Sequence, residues 1–196
     1  LFREHNEITP FIKMHLHKQI PIGAGLGGGS SNASSVLVGL NNLTDSNLSK
    51  KQLKDIASQL GSDCPLFVEK YAQLATGTGI ILEPLNVSLA GYYLKIVNPG
   101  IHIGTKEAYS NIEFSRSEHI ATILSAPISS WKDKLNNSFE STAFVNHPEI
   151  KEVKQSLYEE GAIYASMTGS GSTLFGIYKE EPKLTFSDAF EKVLKL

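Results

Sequence analysis

Apolar and polar residues alternate over 12–20, where Ile12, Met14, Leu16 and Ile20 are interleaved with Lys13, His15 and Lys18. A period of two predicts a half-exposed strand of an antiparallel or mixed sheet. Beyond residue 32 the period lengthens: Ala33, Val36, Leu37, Leu40 and Leu43 recur at helical spacing and predict a helix with one buried stripe. Ser49 and Gln52 form a capping box, after which Leu53, Ile56, Ala57 and Leu60 continue a second helix. Gly61 ends it, in a position suited to a left-handed cap. Strands are predicted over Tyr71–Thr76 and Ile80–Leu85, joined at Gly77-Thr78-Gly79, and over Tyr92–Val97 before the turn at Asn98-Pro99-Gly100. Gly104-Thr105 starts a short helix, and 115–130 reads as a weakly periodic, partly mobile connection. Glu149–Glu160 predicts a helix ended by Gly161, with Ile163–Met167 and Thr173–Tyr178 as strands on either side of a glycine-rich turn. The polar stretch Asn86–Gly91 marks a boundary between residues 1–88 and 89–196.

Between the first strand and the first helix lies Pro21-Ile22-Gly23-Ala24-Gly25-Leu26-Gly27-Gly28-Gly29-Ser30-Ser31-Asn32-Ala33. Five glycines in the seven positions 23–29 bare the backbone just where Ser30, Ser31 and Asn32 offer helix-capping chemistry. Free amide groups and the positive end of a helix dipole converge there, which is a phosphate-binding arrangement. A P-loop needs a lysine after its last glycine, and Gly28 is followed by Gly29. Gly23, Gly25 and Gly28 fit Gly-x-Gly-x-x-Gly, but a dinucleotide fold asks for an apolar parallel strand before it and an acidic residue closing the next strand. Asp45 instead follows a helix in a polar loop. A turn serving only tight packing leaves the three hydroxyl and amide side chains at the helix start without a purpose.

The segment, preceded by Lys18, resembles the ATP-binding motif of the GHMP small-molecule kinases. Three further segments agree in order. Leu60-Gly61-Ser62-Asp63-Cys64-Pro65-Leu66-Phe67 resembles the family's Leu-Gly-Ala-Asp-x-Pro-Phe-Phe, Asn137-Ser138-Phe139-Glu140 its Asn-Asp-Phe-Glu, and Met167-Thr168-Gly169-Ser170-Gly171-Ser172-Thr173 its Met-Ser-Gly-Ser-Gly-Ser-Thr. The extra glycine before Ser30 resembles the branch that phosphorylates a cytidine diphosphate ester of methylerythritol, an intermediate of the non-mevalonate isoprenoid route.

The resemblance implies an α+β, two-lobed fold, with an N-terminal lobe like ribosomal protein S5 domain 2 and a ferredoxin-like C-terminal lobe. The family's early Pro-x-Lys-x-Asn strand segment, which carries a lysine that pairs with the working carboxylate, is not found, so the first lobe is expected to be incomplete. ATP and Mg²⁺ are the implied cofactors. Lys18, Pro21, Gly23, Gly25, Leu26, Gly27, Gly28, Gly29, Ser30, Ser31 and Asn32 would bind ATP, with Ser31 as the candidate metal contact. Asp63 would be the catalytic base acting on the acceptor's 2-hydroxyl, although an Asp shortly after a helix is often only a cap. Thr105 would lie near the acceptor's phosphates and Tyr109 would stack on its cytosine, a core aromatic being the alternative for Tyr109. Thr168, Gly169, Ser170 and Gly171 would contact an anionic or transferring group, a tight hairpin being the alternative. The family commonly has Glu where this chain has Ile80. Other family acceptors, such as homoserine, mevalonate or a sugar, and a non-catalytic ligand-binding role remain alternatives.

Composition narrows the partners. The 196 residues, 41% of them hydrophobic, suffice for one large or two small cores. A net charge of −2 gives no general attraction for nucleic acid or anionic lipid, and no stretch reaches the apolar length of a membrane span. With only two arginines, Arg3 and Arg116, the grip on phosphate must come from backbone amides and lysines. The single cysteine, Cys64, excludes an internal disulfide, suits a reducing cytosol and reads as a small buried apolar residue, and the family resemblance implies a bacterial cytoplasm. His15 and His17 share a strand face without a third ligand at supporting spacing, which reads as a solvated face. The expected partner is a small-molecule substrate, the chain being a monomer or homodimer.

Overall fold

The computed structural model describes residues 1–5, 11–77, 79, 81–110, 112 and 120–196. Thr78, Ile80 and the opening of the 115–130 connection with Arg116 lie outside the described residues. The chain divides into two compact units, one of Leu1–Ile22 with Gly27–Asn86, the other of Gly23–Leu26 with Val87–Leu196.

In the first unit, α1 (Phe2–His5), α2 (Gly28–Leu43) and α3 (Lys50–Leu60) precede a 3-10 turn over Cys64–Val68 and the strands β1 (Gln73–Thr76) and β2 (Ile81–Pro84). The strands pair antiparallel, Gln73 opposite Pro84 and Thr76 opposite Ile81. Phe2, Leu37, Leu53, Ile56, Ala57, Cys64 and Val68 form the core. The capping box forms as the sequence requires: the Gln52 amide donates to Ser49 Oγ at 3.3 Å and the Ser49 amide to Gln52 Oε1 at 3.0 Å.

Four local expectations are corrected here. Residues 11–19 form no strand, because β1 and β2 pair with each other and no described strand offers this segment a ladder, leaving Phe11, Met14 and Leu16 exposed. α2 begins at Gly28, so Ser30, Ser31 and Asn32 lie in its first turn and do not cap it. Its buried face holds Ser34 and Leu37 and leaves Val36 and Leu43 exposed, because Ser34 is drawn inward by donating to the Cys64 carbonyl at 2.6 Å. α3 stops at Gly61 in extended backbone (φ 168°, ψ 153°), with no left-handed cap, and Leu60 ends on the surface. Beyond α3, Pro65 occupies the first turn of the 3-10 helix, where a missing N–H costs nothing.

The second unit is built on a four-stranded antiparallel sheet in the order β4-β5-β3-β6, from β3 (Tyr93–Asn98), β4 (Tyr164–Met167), β5 (Leu174–Tyr178) and β6 (Phe190–Lys195). Helices α4 (Thr105–Ala108), α5 (Ile120–Ser125), α6 (Phe139–Asn146) and α7 (Pro148–Glu159) complete it. Strand alternation sorts the side chains: Val97, Ala165, Met167 and Leu174 join Ile150, Val153 and Leu157 of α7 in one cluster. Tyr164, Phe175 and Ile177 join Ile128 and Trp131 in another. The latter explains why 120–130 is helical where weak periodicity suggested an irregular connection: α5 and a 3-10 turn over Ile128–Ser130 set Ile123, Leu124 and Ile128 on the sheet. Lys95, with the parity of Val97, is wholly buried; its ammonium reaches Glu160 Oε2 at 2.6 Å, Glu191 Oε1 at 2.8 Å and the Lys183 carbonyl at 2.8 Å.

Candidate active site

In the first unit, Gly27 closes the glycine turn in left-handed backbone (φ 62°) and caps α2 without any side-chain hydrogen bond. The Ser31 amide already donates to the Gly27 carbonyl at 2.9 Å. The amides ahead of it, at Gly28, Gly29 and Ser30, are the first-turn donors that an α-helix cannot satisfy internally. Pro21 lies in the approach to the turn. Lys18 is exposed beside it: with the Asn32 amide oriented oxygen toward the lysine, Lys18 Nζ donates to Asn32 at 2.9 Å and Asn32 donates to the Gly28 carbonyl at 3.3 Å. A cation is thus fixed at the start of α2. Gly27 is required by the protein itself, since a Cβ there would lie 2.8 Å from Phe67 Cζ. Gly29 is not: a Cβ would meet nothing within 4 Å.

Asp63 precedes the 3-10 turn in helical backbone, and its carboxylate makes no capping bond. It is exposed, and among the described residues only the Ser62 hydroxyl donates to it, at 3.4 Å. The bond from Ser34 to the Cys64 carbonyl ties the turn that follows Asp63 to the helix that starts at the glycines. Sequence reasoning had no role for Ser34; a serine among apolar positions of a helix, with zero exposure, was the signal.

In the second unit, the front of the glycine turn meets the second glycine-rich turn. Thr168 Oγ1 donates to the Gly25 carbonyl at 3.0 Å, and the Thr173 amide to the Ala24 carbonyl at 3.4 Å. Gly23 and Gly25 have φ of 71° and 75°, and a Cβ on Gly25 would sit 2.3 Å from the Thr168 carbonyl oxygen. Leu26 and Ser170 are half-buried beside these contacts in sequence. Gly169 and Gly171 also take positive φ, 55° and 90°. The turn is a β4–β5 hairpin, yet its conformation is fixed from outside: Asn137 Nδ2 donates to the carbonyls of Met167 and Gly169, both at 2.8 Å. Glu140 Oε1 accepts from the Met167 amide at 2.7 Å and from the Ser166 hydroxyl, while its Oε2 accepts from Lys154 at 2.6 Å. Asn137 and Glu140, quoted above only for their resemblance, are therefore the braces of this turn. Gly25→Ala is expected to force the two turns apart and lower stability by about 1–3 kcal/mol, as judged from urea unfolding.

Thr105 opens the single turn of α4 and is exposed; Tyr109 follows it, 59% exposed, with its ring edge-on to Phe139 at 5.0 Å. Exposure rules out the core-aromatic alternative for Tyr109. Among the described residues no three His, Cys, Asp or Glu side chains form a metal-holding group, and no helix is long and apolar enough to cross a membrane.

Residues 1–70 match the GHMP kinases N terminal domain and residues 122–195 the GHMP kinases C terminal domain. The chain belongs to the GHMP kinases, a family of ATP-dependent small-molecule kinases with an α+β fold. It is 48% identical over 182 residues to the 4-diphosphocytidyl-2-C-methyl-D-erythritol kinase of Azobacteroides pseudotrichonymphae, covering 92% of this chain and 68% of that protein. A kinase of the same name from Parabacteroides distasonis is 42% identical over 189 residues, covering 94% of this chain and 69% of that protein. Among solved structures, a 4-(cytidine 5'-diphospho)-2C-methyl-D-erythritol kinase superposes with a TM-score of 0.72 at 34% identity, over 82% of this chain and 59% of that one. Homoserine kinase from Cytophaga hutchinsonii shares the fold, with a TM-score of 0.70 at 17% identity, over 90% of this chain and 67% of that one. The chain thus spans about two thirds of the length of the curated relatives and 59% of the first solved structure.

Proposed function

We propose that this chain forms the nucleotide- and acceptor-handling part of a kinase that transfers the γ-phosphoryl group of ATP to the 2-hydroxyl of 4-diphosphocytidyl-2-C-methyl-D-erythritol. The observation that carries the nucleotide half is the uncapped first turn of α2, opened by glycines and flanked by the Lys18 ammonium. The substrate in the relatives' name supports the acceptor half. We read the two units as the family's two lobes.

Phosphoryl transfer asks the protein mainly for alignment and charge neutralisation, because the transition state is loose and its charge is spread over the phosphoryl oxygens. The amides of Gly25 to Ser31 hold the triphosphate in a fixed direction, and Lys18 adds positive charge beside them. Asp63 accepts the proton of the acceptor hydroxyl as that oxygen attacks the γ-phosphorus. Thr105 bonds the acceptor's diphosphate, Tyr109 stacks on its pyrimidine, and the Thr168–Gly171 turn contributes further donors. Mg²⁺ would supply positive charge beside the phosphates when bound, with the Ser31 hydroxyl as its contact; among the described residues no three His, Cys, Asp or Glu side chains gather to hold it.

Gly29→Ala separates the demands of fold and ligand. Alanine in a helix is favoured over glycine, so stability is expected to rise by about 0.5–1 kcal/mol while calorimetry shows weaker binding of ADP. Undiminished ADP affinity would remove the phosphate assignment. The acceptor is tested by titrating the cytidine diphosphate ester against homoserine and mevalonate: binding of the ester alone is expected, and preference for either competitor would replace it.

A further inference from the structure

α4 is only four residues long, yet Thr105 at its start and Tyr109 just past its end are two of the residues assigned to the acceptor. Its own hydrogen bonds are few: the Ala108 amide donates to the Gly104 carbonyl at 2.9 Å, the Tyr109 amide to Thr105 at 3.2 Å, and no side chain caps its start. One helical turn of this kind is marginal alone and must be held by its surroundings. On its inner side Ala108 is 3% exposed in the core.

Among the described residues, α6 holds α4 from both of its own ends. At the first residue of α6, Phe139 meets the Tyr109 ring at an interplanar angle of 82°. At the other end, Glu107 Oε1 accepts from Asn146 Nδ2 at 3.1 Å and lies 2.9 Å from His147 Nε2. The Asn146 bond, then that of His147, hold the Glu107 carboxyl below its ordinary range. The backbone of His147 is anchored on both sides: its amide donates to Ala143 at 2.8 Å to close α6 and its carbonyl accepts from Ile150 at 3.1 Å to open α7 before Pro148. Eight residues of helix separate the two attachments by about 10 Å, so α4 is fixed at two points and cannot pivot about one.

We propose that Glu107, Asn146 and His147 are positioning residues that set the direction of the Tyr109 ring, so that recognition of the acceptor's pyrimidine depends on a tether at the far end of α6. The recognition half of this statement rests on the acceptor reading above; the tether does not. Without the carboxylate, α4 is left to pivot about the Phe139 contact and the ring loses its fixed direction.

Hydrogen exchange and calorimetry on the full chain test both halves. In Glu107→Ala, the amides of 105–109 are expected to exchange about tenfold faster while those of β4 and β5 keep their rates. Affinity for cytidine diphosphate is expected to fall about tenfold with binding of ADP at the glycine turn unchanged. Glu107→Gln, which keeps the acceptor oxygen, should restore both. Unchanged exchange over 105–109 in Glu107→Ala overturns the tether. Faster exchange with undiminished cytidine affinity overturns the link to recognition, as does an equal loss for both nucleotides. If the unaltered chain binds no cytidine diphosphate at all, the acceptor reading falls, and the exchange rates still decide the tether.

Discussion

Asp63→Asn is expected to lower turnover by about 10²–10⁴-fold, the range over which a positioned general base contributes. The substitution keeps the shape of the side chain and removes only charge and basicity. Because the Asp63 carboxylate caps nothing and, among the described residues, receives a single bond at 3.4 Å, from Ser62, the fold has little to lose. ADP affinity and the unfolding midpoint should stay at their starting values, and a single-turnover measurement of phosphorylated product should show the deficit in the chemical step. Turnover within about twofold of the parent would take Asp63 out of the mechanism and leave its setting after α3 as a matter of chain direction alone.

The second large effect is on stability. Lys95→Met is expected to destabilise the second unit by about 3–5 kcal/mol, read from urea unfolding, because it strands the carboxylates of Glu160 and Glu191 around an apolar side chain. The same cluster sets an acid limit. Burial pushes the Glu191 carboxyl up, but the bond from Lys95 and the amides of Thr185 and Phe186 outweigh it and hold the group below its ordinary value of 4.5. A carboxyl whose pKa is depressed on folding contributes stability that is present above its unfolded value and lost as pH falls through the folded one. Stability should therefore drop below about pH 4.5 in the parent, and that part of the drop should vanish in Glu191→Gln.

Much of this architecture was legible in the chain. The Ser49–Gln52 box, the β1–β2 and β4–β5 pairs and the helix ended by Gly161 follow from local chemistry, and all form within two residues of where that chemistry places them. What failed did so where distant partners decide. The 12–20 alternation specifies two faces but not a neighbour, and no described strand pairs with it. Ser34 turned α2 because a carbonyl 30 residues away accepts its hydroxyl. β6 was missed because Phe190, Val193 and Leu194 follow no period of two, their pairing being set by β3. At the candidate site, the glycines and Asp63 announce themselves by residue type. Asn137, Glu140 and Glu107 do not, since each works through a carbonyl, an amide or a side chain that only the fold brings near.

β6 also bears on how copies of this chain treat one another. It bonds to β3 along one side, and among the described residues no strand covers its other side. A bare flank of this sort invites a stranger's backbone, the first step of aggregation. Lys192 and Lys195 stand exposed along it, so a second molecule approaching edge to edge would bring like charges together. Exchanging both for threonine would leave the monomer's ladder intact while removing its defence against fibrous association.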